Sequence, residues 1–195
     1  MKYFSQLKAT LFLACLIPLA RLAWYGYSDQ LGANPIEFIT RSLGTWTLVF
    51  LLITLSITPL RKLSGWSWLI KLRRMAGLFA FFYALLHFIT YIWLDQFFDL
   101  SSIYKDVLKR PFITIGFTAF VLLIPLALTS TNAMMKKLGG KRWQMLHKLV
   151  YLIAIFAVVH YWWLVKKDIT QPLIYAALLS ILLGYRVWAE RLKAK

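Results

Sequence analysis

The stretch WQMLHKLVYLIAIFAVVHYWWLV, Trp143 to Val165, places two histidines, His147 and His160, in 23 residues whose only lysine, arginine or acid is Lys148. About 20 helical residues cross roughly 30 Å of hydrocarbon, so this stretch reads as a membrane-spanning helix. Outward from it, five more apolar runs approach that length: Thr10 to Tyr27, Gly44 to Leu60, Met75 to Leu94, Phe112 to Ser130 and Pro172 to Trp188. The second and sixth are the shortest. The whole chain is 61% hydrophobic and 15% charged, unlike a soluble domain of 195 residues. An all-α, polytopic membrane bundle of six helices is expected, and residues 1–195 read as one domain. The longest connections, Ser28 to Leu43 and Asp95 to Pro111, are too short for another.

Charge orients the set, because cytoplasmic loops collect Lys and Arg. With both termini inside, the inner segments carry Lys2, Lys8, Arg61, Lys62, Lys71, Arg73, Arg74, Lys136, Lys137, Lys141, Arg142, Lys148, Arg186, Arg191, Lys193 and Lys195 against Glu190 alone. The outer segments carry seven bases against six acids, so almost all of the +16 net charge faces the cytoplasm. A multi-pass membrane location is expected, with lipid around it. Nucleic acid is not an expected partner, since the bases are divided among short loops rather than gathered on a soluble face. Lys2, Lys8 and the run ending near Cys15 resemble a secretory leader, but five further spans point to a retained first helix. A single cysteine excludes an internal disulfide and a four-cysteine iron–sulfur centre.

Smaller signals punctuate the spans. Leu138-Gly139-Gly140 reads as a helix stop, Pro18 and Pro125 as kinks, and Trp46, Trp66, Trp68, Trp162 and Trp163 as interfacial anchors. Neither a Gly-rich dinucleotide fingerprint nor room for a nucleotide-binding unit exists, so electrons would enter from another protein or a lipid-soluble carrier.

An ionisable ring in hydrocarbon calls for a functional explanation. His87 lies eight residues before Asp95 and His160 eight before Asp168, so at about 1.5 Å per residue both rings sit at similar depth. They can face one haem iron. His147 precedes His160 by 13 residues, a rise of about 20 Å, which suits a second haem in the other leaflet. At about 100° per residue the two rings point roughly 140° apart, so the helix is distorted or the haems approach from different sides. Haem propionates would look for cations, and Arg21, Arg73 and Arg74 are the candidates, with snorkelling to the headgroups as the alternative.

Several strings then converge on one family: Leu31-Gly32-Ala33-Asn34-Pro35, Thr58-Pro59-Leu60-Arg61, Arg73-Arg74-Met75, Tyr83 through His87, Arg110-Pro111-Phe112-Ile113, Leu126 through Ser130, Trp143 through His147, and His160-Tyr161. In this order they resemble the MsrQ (YedZ) family, haem-binding membrane subunits of the bacterial methionine sulfoxide reductase system, within the ferric reductase-like transmembrane group. The resemblance implies one or two b-type haems on His87, His147 and His160. It implies electron delivery to a periplasmic molybdenum-cofactor reductase that repairs methionine sulfoxide in envelope proteins. The quinone pool or a cytosolic flavin reductase would be the donor, and FMN a further cofactor. The chain would then be an electron-transfer subunit, with substrate reduction in its partner. One departure concerns the inner level, where the position 14 residues before His87 is Arg73, a very poor iron ligand. His147 would stand alone, recruit Met75 or Met145, or leave the cavity to a quinol or flavin. Two rival readings are a stand-alone ferric-chelate or quinone reductase and a transporter whose histidines relay protons.

Overall fold

The computed structural model describes residues 2–165 and 167–192. Lys166, Lys193 and Lys195, counted in the charge pattern, lie outside the described residues, as does the Lys2 side chain. Nine α-helices are described: α1 (Lys2–Tyr27), α2 (Pro35–Ser64), α3 (Arg73–Thr90), α4 (Leu100–Lys109), α5 (Pro111–Leu128), α6 (Asn132–Leu138), α7 (Gly140–His147), α8 (Leu149–Leu164) and α9 (Thr170–Arg191). A 3₁₀ segment, Ser67–Leu72, leads into α3, and a π-helical turn, Tyr91–Asp95, continues it. Together they make six spans long and apolar enough to cross a bilayer, and no strand occurs among the described residues.

The second span differs most from expectation. It begins at Pro35 rather than Gly44 and runs 30 residues. Pro35 occupies the first turn, where its missing N–H costs nothing, and the Asn34 side chain accepts from the Glu37 N–H. At the far end Gly65 adopts φ 73° and donates to the Arg61 carbonyl, closing the helix in the left-handed conformation that glycine tolerates. Trp46 therefore lies 11 residues inside the span, beside Phe50 at 6.1 Å, rather than anchoring an end. The stretch Asp95 to Pro111, expected as a connection, contains α4, with Leu100, Tyr104 and Leu108 exposed along one face.

Between helices in lipid, shape and hydrogen bonds decide packing, because tails are as apolar as leucine. α3 buries Ala76, Phe79, Ala80, Tyr83 and Ala84, a helical stripe whose alanines let α2 approach closely. The Phe50 ring of α2 stacks on Tyr83 at 5.3 Å and on Phe79 at 5.5 Å. The Tyr83 hydroxyl donates to the Cys15 carbonyl at 2.7 Å, tying α1 to this core. α5 meets α8 through Ala119, Leu123, Leu126 and Ile153, while Ala154 and Val158 of α8 turn to Leu48, Leu52 and Leu55 of α2 and Leu179 of α9. α2, α3, α5 and α8 thus form the centre, and α1 and α9 flank it.

The fifth span has a one-residue irregularity. Lys148 separates α7 from α8 as a single turn residue, its N–H shared between the Gln144 and Met145 carbonyls at 3.1 and 3.2 Å. That irregularity lies between His147 and His160 within one span, Gly140–Leu164. The expected stop at Gly139 holds: α6 ends at Leu138 and Gly139 takes φ 76°.

Candidate functional site

Two neighbouring helix pairs build the same device twice. On α2 the Thr40 carbonyl is followed four residues on by Gly44; on α5 the Phe112 carbonyl is followed four residues on by Gly116. Each carbonyl and glycine receive one histidine. His87 of α3 sets Nδ1 2.8 Å from the Thr40 oxygen, and a Cβ on Gly44 would stand 3.0 Å from His87 Cε1. His160 of α8 sets Nδ1 2.6 Å from the Phe112 oxygen, and a Cβ on Gly116 would stand 2.7 Å from His160 Nδ1. No side chain other than hydrogen fits under either ring without displacing it.

The hydrogen bonds fix the chemistry of both rings. A carbonyl only accepts, so each Nδ1 carries the proton and donates, leaving Nε2 as a neutral ring's lone pair. Neither Nε2 has a hydrogen-bond partner among the described residues. A second layer steadies the first: Thr90 donates its hydroxyl to the His87 carbonyl at 2.8 Å, and Thr40 and Thr90 hydroxyls lie 3.3 Å apart. The π turn that begins at Tyr91 follows directly, a helix irregularity frequent beside functional sites.

The sequence-predicted pairing of His87 with His160 is present, with ring centroids 6.2 Å apart and planes inclined at 74°. Two metal–nitrogen bonds of about 2.0–2.1 Å each would take up about 4 Å of that separation, leaving about 1 Å from each nitrogen to its ring centre. The spacing of the two ring centres therefore matches that of two imidazoles on one iron. Phe112 flanks His160 at 6.3 Å.

His147 is built differently. Its Nδ1 is 3.0 Å from the Trp143 carbonyl of its own helix, and its ring stacks on the Trp143 indole at 3.8 Å. The indole nitrogen donates to the Thr129 carbonyl at 2.8 Å, which fixes the stack against the end of α5. His147 Nε2 is buried without a hydrogen-bond partner among the described residues. It borders a cavity of about 500 Å³ whose wall includes Arg73, Arg74, Met135, Lys148 and Arg186, and no carboxylate. The two ion pairs among the described residues, Arg41 with Glu37 and Arg110 with Asp106, lie elsewhere.

Of the other sequence candidates, Arg73 is half-buried and Arg74 exposed at this cavity. Arg21 is exposed on α1, its guanidinium 5.1 Å from the Tyr25 ring, and borders neither cavity described here. Met145 is 64% exposed and Met75 borders a second cavity, of about 980 Å³, so the methionine at the His147 cavity is Met135. The second cavity lies between α1 and α3, with Phe12, Leu13 and Phe79 in its wall and Lys8, Lys71 and Arg74 as its cations. Sequence reading missed Thr40, Gly44, Gly116 and Arg186. Gly44 and Gly116 were legible as isolated glycines at or inside apolar runs, a sign of close approach; the carbonyl contacts left no such trace.

Comparison with known proteins accords with this geometry. The ferric reductase like transmembrane component family matches residues 38–158, which include His87 and His147 and end two residues before His160. Proteins named protein-methionine-sulfoxide reductase heme-binding subunit MsrQ are similar along almost the full chain. That of Herminiimonas arsenicoxydans is 62% identical, covering 98% of this chain and 89% of the relative. Those of Azospira oryzae and Ralstonia nicotianae are 58% and 53% identical, covering 97% and 96% of this chain and 81% and 87% of the relatives. A bundle of six apolar spans, a histidine pair at iron-bridging distance and near-complete alignment lead to one assignment: the chain belongs to the ferric reductase-like transmembrane family and, within it, to the MsrQ haem-binding subunits of protein-methionine-sulfoxide reductase.

Proposed function

We propose that the chain carries electrons across the bacterial inner membrane, from the basic face to the opposite one, and delivers them to a periplasmic molybdenum-cofactor reductase that repairs methionine sulfoxide in envelope proteins. The observation that carries this reading is the His87 and His160 pair, 6.2 Å apart and held in one tautomer by two backbone carbonyls. Haem b, when bound there, supplies reversible one-electron chemistry. The residues do the rest. His87 and His160 offer Nε2 lone pairs from α3 and α8, while Gly44 and Gly116 let each ring lie flat against its supporting helix. Neutral rings donating to carbonyls raise ligand basicity without burying a charge.

His147 is the ligand at the inner level in this reading, since it borders a cationic cavity that suits an anionic redox group. A second haem is the favoured occupant and FMN the alternative. The cavity between α1 and α3 supports quinol access, since it has apolar walls and shares Ile70 and Arg74 with the His147 cavity. A cytosolic flavin reductase docking on the basic face is the other donor. Arg21 is left with an interfacial role above Tyr25. Both termini are assigned to the cytoplasm from the concentration of Lys and Arg on that side.

Reconstitution tests the proposal. The purified chain, a quinol or a flavin reductase, and the periplasmic reductase should together reduce methionine sulfoxide, and omission of the chain should abolish turnover. Direct reduction of ferric chelates by the chain, with no transfer to the periplasmic enzyme, would favour the stand-alone reductase.

A further inference from the structure

Arg186 is the least explained charge in the bundle. It lies on α9, the last span, half-buried and without a carboxylate partner among the described residues. Its placement begins with a proline. Pro59 has no N–H, so the Leu55 carbonyl four residues before it lacks the usual helical donor. Arg186 Nη2 donates to that oxygen at 2.8 Å, and Nη1 donates to the Tyr151 hydroxyl at 2.7 Å. The guanidinium carbon stands 4.8 Å from the Tyr151 ring centre. Three helices therefore fix the guanidinium plane.

Those contacts leave a remainder. Arg186 Nε is buried with no partner, and the side chain borders the same cavity as Arg73, Arg74 and His147. His147 Nε2 is the other buried orphan there. Keeping two half-buried guanidinium groups, Arg73 and Arg186, on one cavity whose lining holds no acid is costly, and an anion would offset the cost. A rigid guanidinium flanked by a second arginine matches a carboxylate or a phosphate.

We infer that Arg186, with Arg73 beside it, is the anion clamp of the inner cavity and grips the acidic arm of a flat redox cofactor whose other end meets His147. The inference rests on the proposed redox occupancy of that cavity. The acidic arm is a porphyrin propionate or a flavin nucleotide phosphate, and the assay separates the two. Arg186 positions the cofactor, while His147 is its ligand or neighbour.

The test compares Arg186→Gln, Arg186→Lys, His147→Ala and His87→Ala in the purified full chain, reading haem by pyridine haemochrome, flavin by acid release, and the midpoint potential of each haem. R186Q should lose what H147A loses and keep what H87A loses. A fall from about two haems per chain to about one identifies a propionate. Unchanged haem with loss of about one flavin identifies a phosphate. R186K should retain more of the inner cofactor than R186Q, with a shifted potential or weakened occupancy at that level alone. Wild-type content and potentials in R186Q, with loss in H147A, would overturn the clamp and leave the occupancy reading intact. One haem and no flavin in the wild type would overturn the occupancy reading, and the clamp with it. Should R186Q lose the outer haem too, through misfolding, R186K decides: inner-only change supports the clamp, and wild-type behaviour overturns it.

Discussion

The two ends of the bundle handle histidine in opposite ways. At the outer level, His87 and His160 come from different helices, and each has its own carbonyl and its own glycine. At the inner level, His147 uses a carbonyl of its own helix and faces arginines across a cavity. In the proposed function the first level is a ligand pair, each ring held by its own backbone carbonyl. The other is a half-pair whose remaining wall is chosen for charge. On the proposed function, preorganisation of nitrogen would dominate where iron takes two ligands, and electrostatics where an acidic group takes a counter-ion.

The sharpest way to break the contrast is to remove an outer ligand. His160→Ala or His87→Ala should each abolish the outer haem signal while the protein stays membrane-inserted, read by visible difference spectra and membrane fractionation. Next in size, His147→Ala should leave that outer signal intact and remove only the inner component, which pyridine haemochrome counting would register.

The glycines sharpen the contrast further. Gly116→Ala would put a methyl 2.7 Å from His160 Nδ1, and Gly44→Ala one 3.0 Å from His87 Cε1. Overpacking of this kind costs about 1–3 kcal/mol, so both should shift the outer midpoint potential or lower occupancy, Gly116→Ala more severely. No comparable glycine lies against His147, so the inner component should respond to neither. Smallest of all, Thr90→Val deletes the hydroxyl bond to the His87 carbonyl, about 1 kcal/mol. It should lower the thermal midpoint slightly without loss of haem.

Much of the outer level was legible in the sequence. Equal spacing of His87 and His160 from Asp95 and Asp168 placed both at one depth, and the structure brings their rings together. The inner level was less legible, because a 13-residue spacing gives depth but not which side chains from α6, α3 and α9 gather around His147. Met75 and Met145 were suggested by proximity in sequence, whereas Met135 reaches the cavity from α6, through a turn that hydropathy does not report. Span two was drawn too short because Glu37 and Arg41 depress the hydropathy of its first turns, yet they pair with each other at 2.6 Å across one turn. Arg186 was counted only among the bases of the inner segments; the carbonyl freed by Pro59 and the fold of α9 show why it points inward.

The most direct measurement is a pyridine haemochrome count with dithionite-reduced minus oxidised spectra on the wild type, His87→Ala, His160→Ala and the double variant. Shared ligation of one iron predicts the same loss, about one haem per chain, in both single variants and no further loss in the double. Independent, additive losses, or full haem content in either single variant, would contradict it.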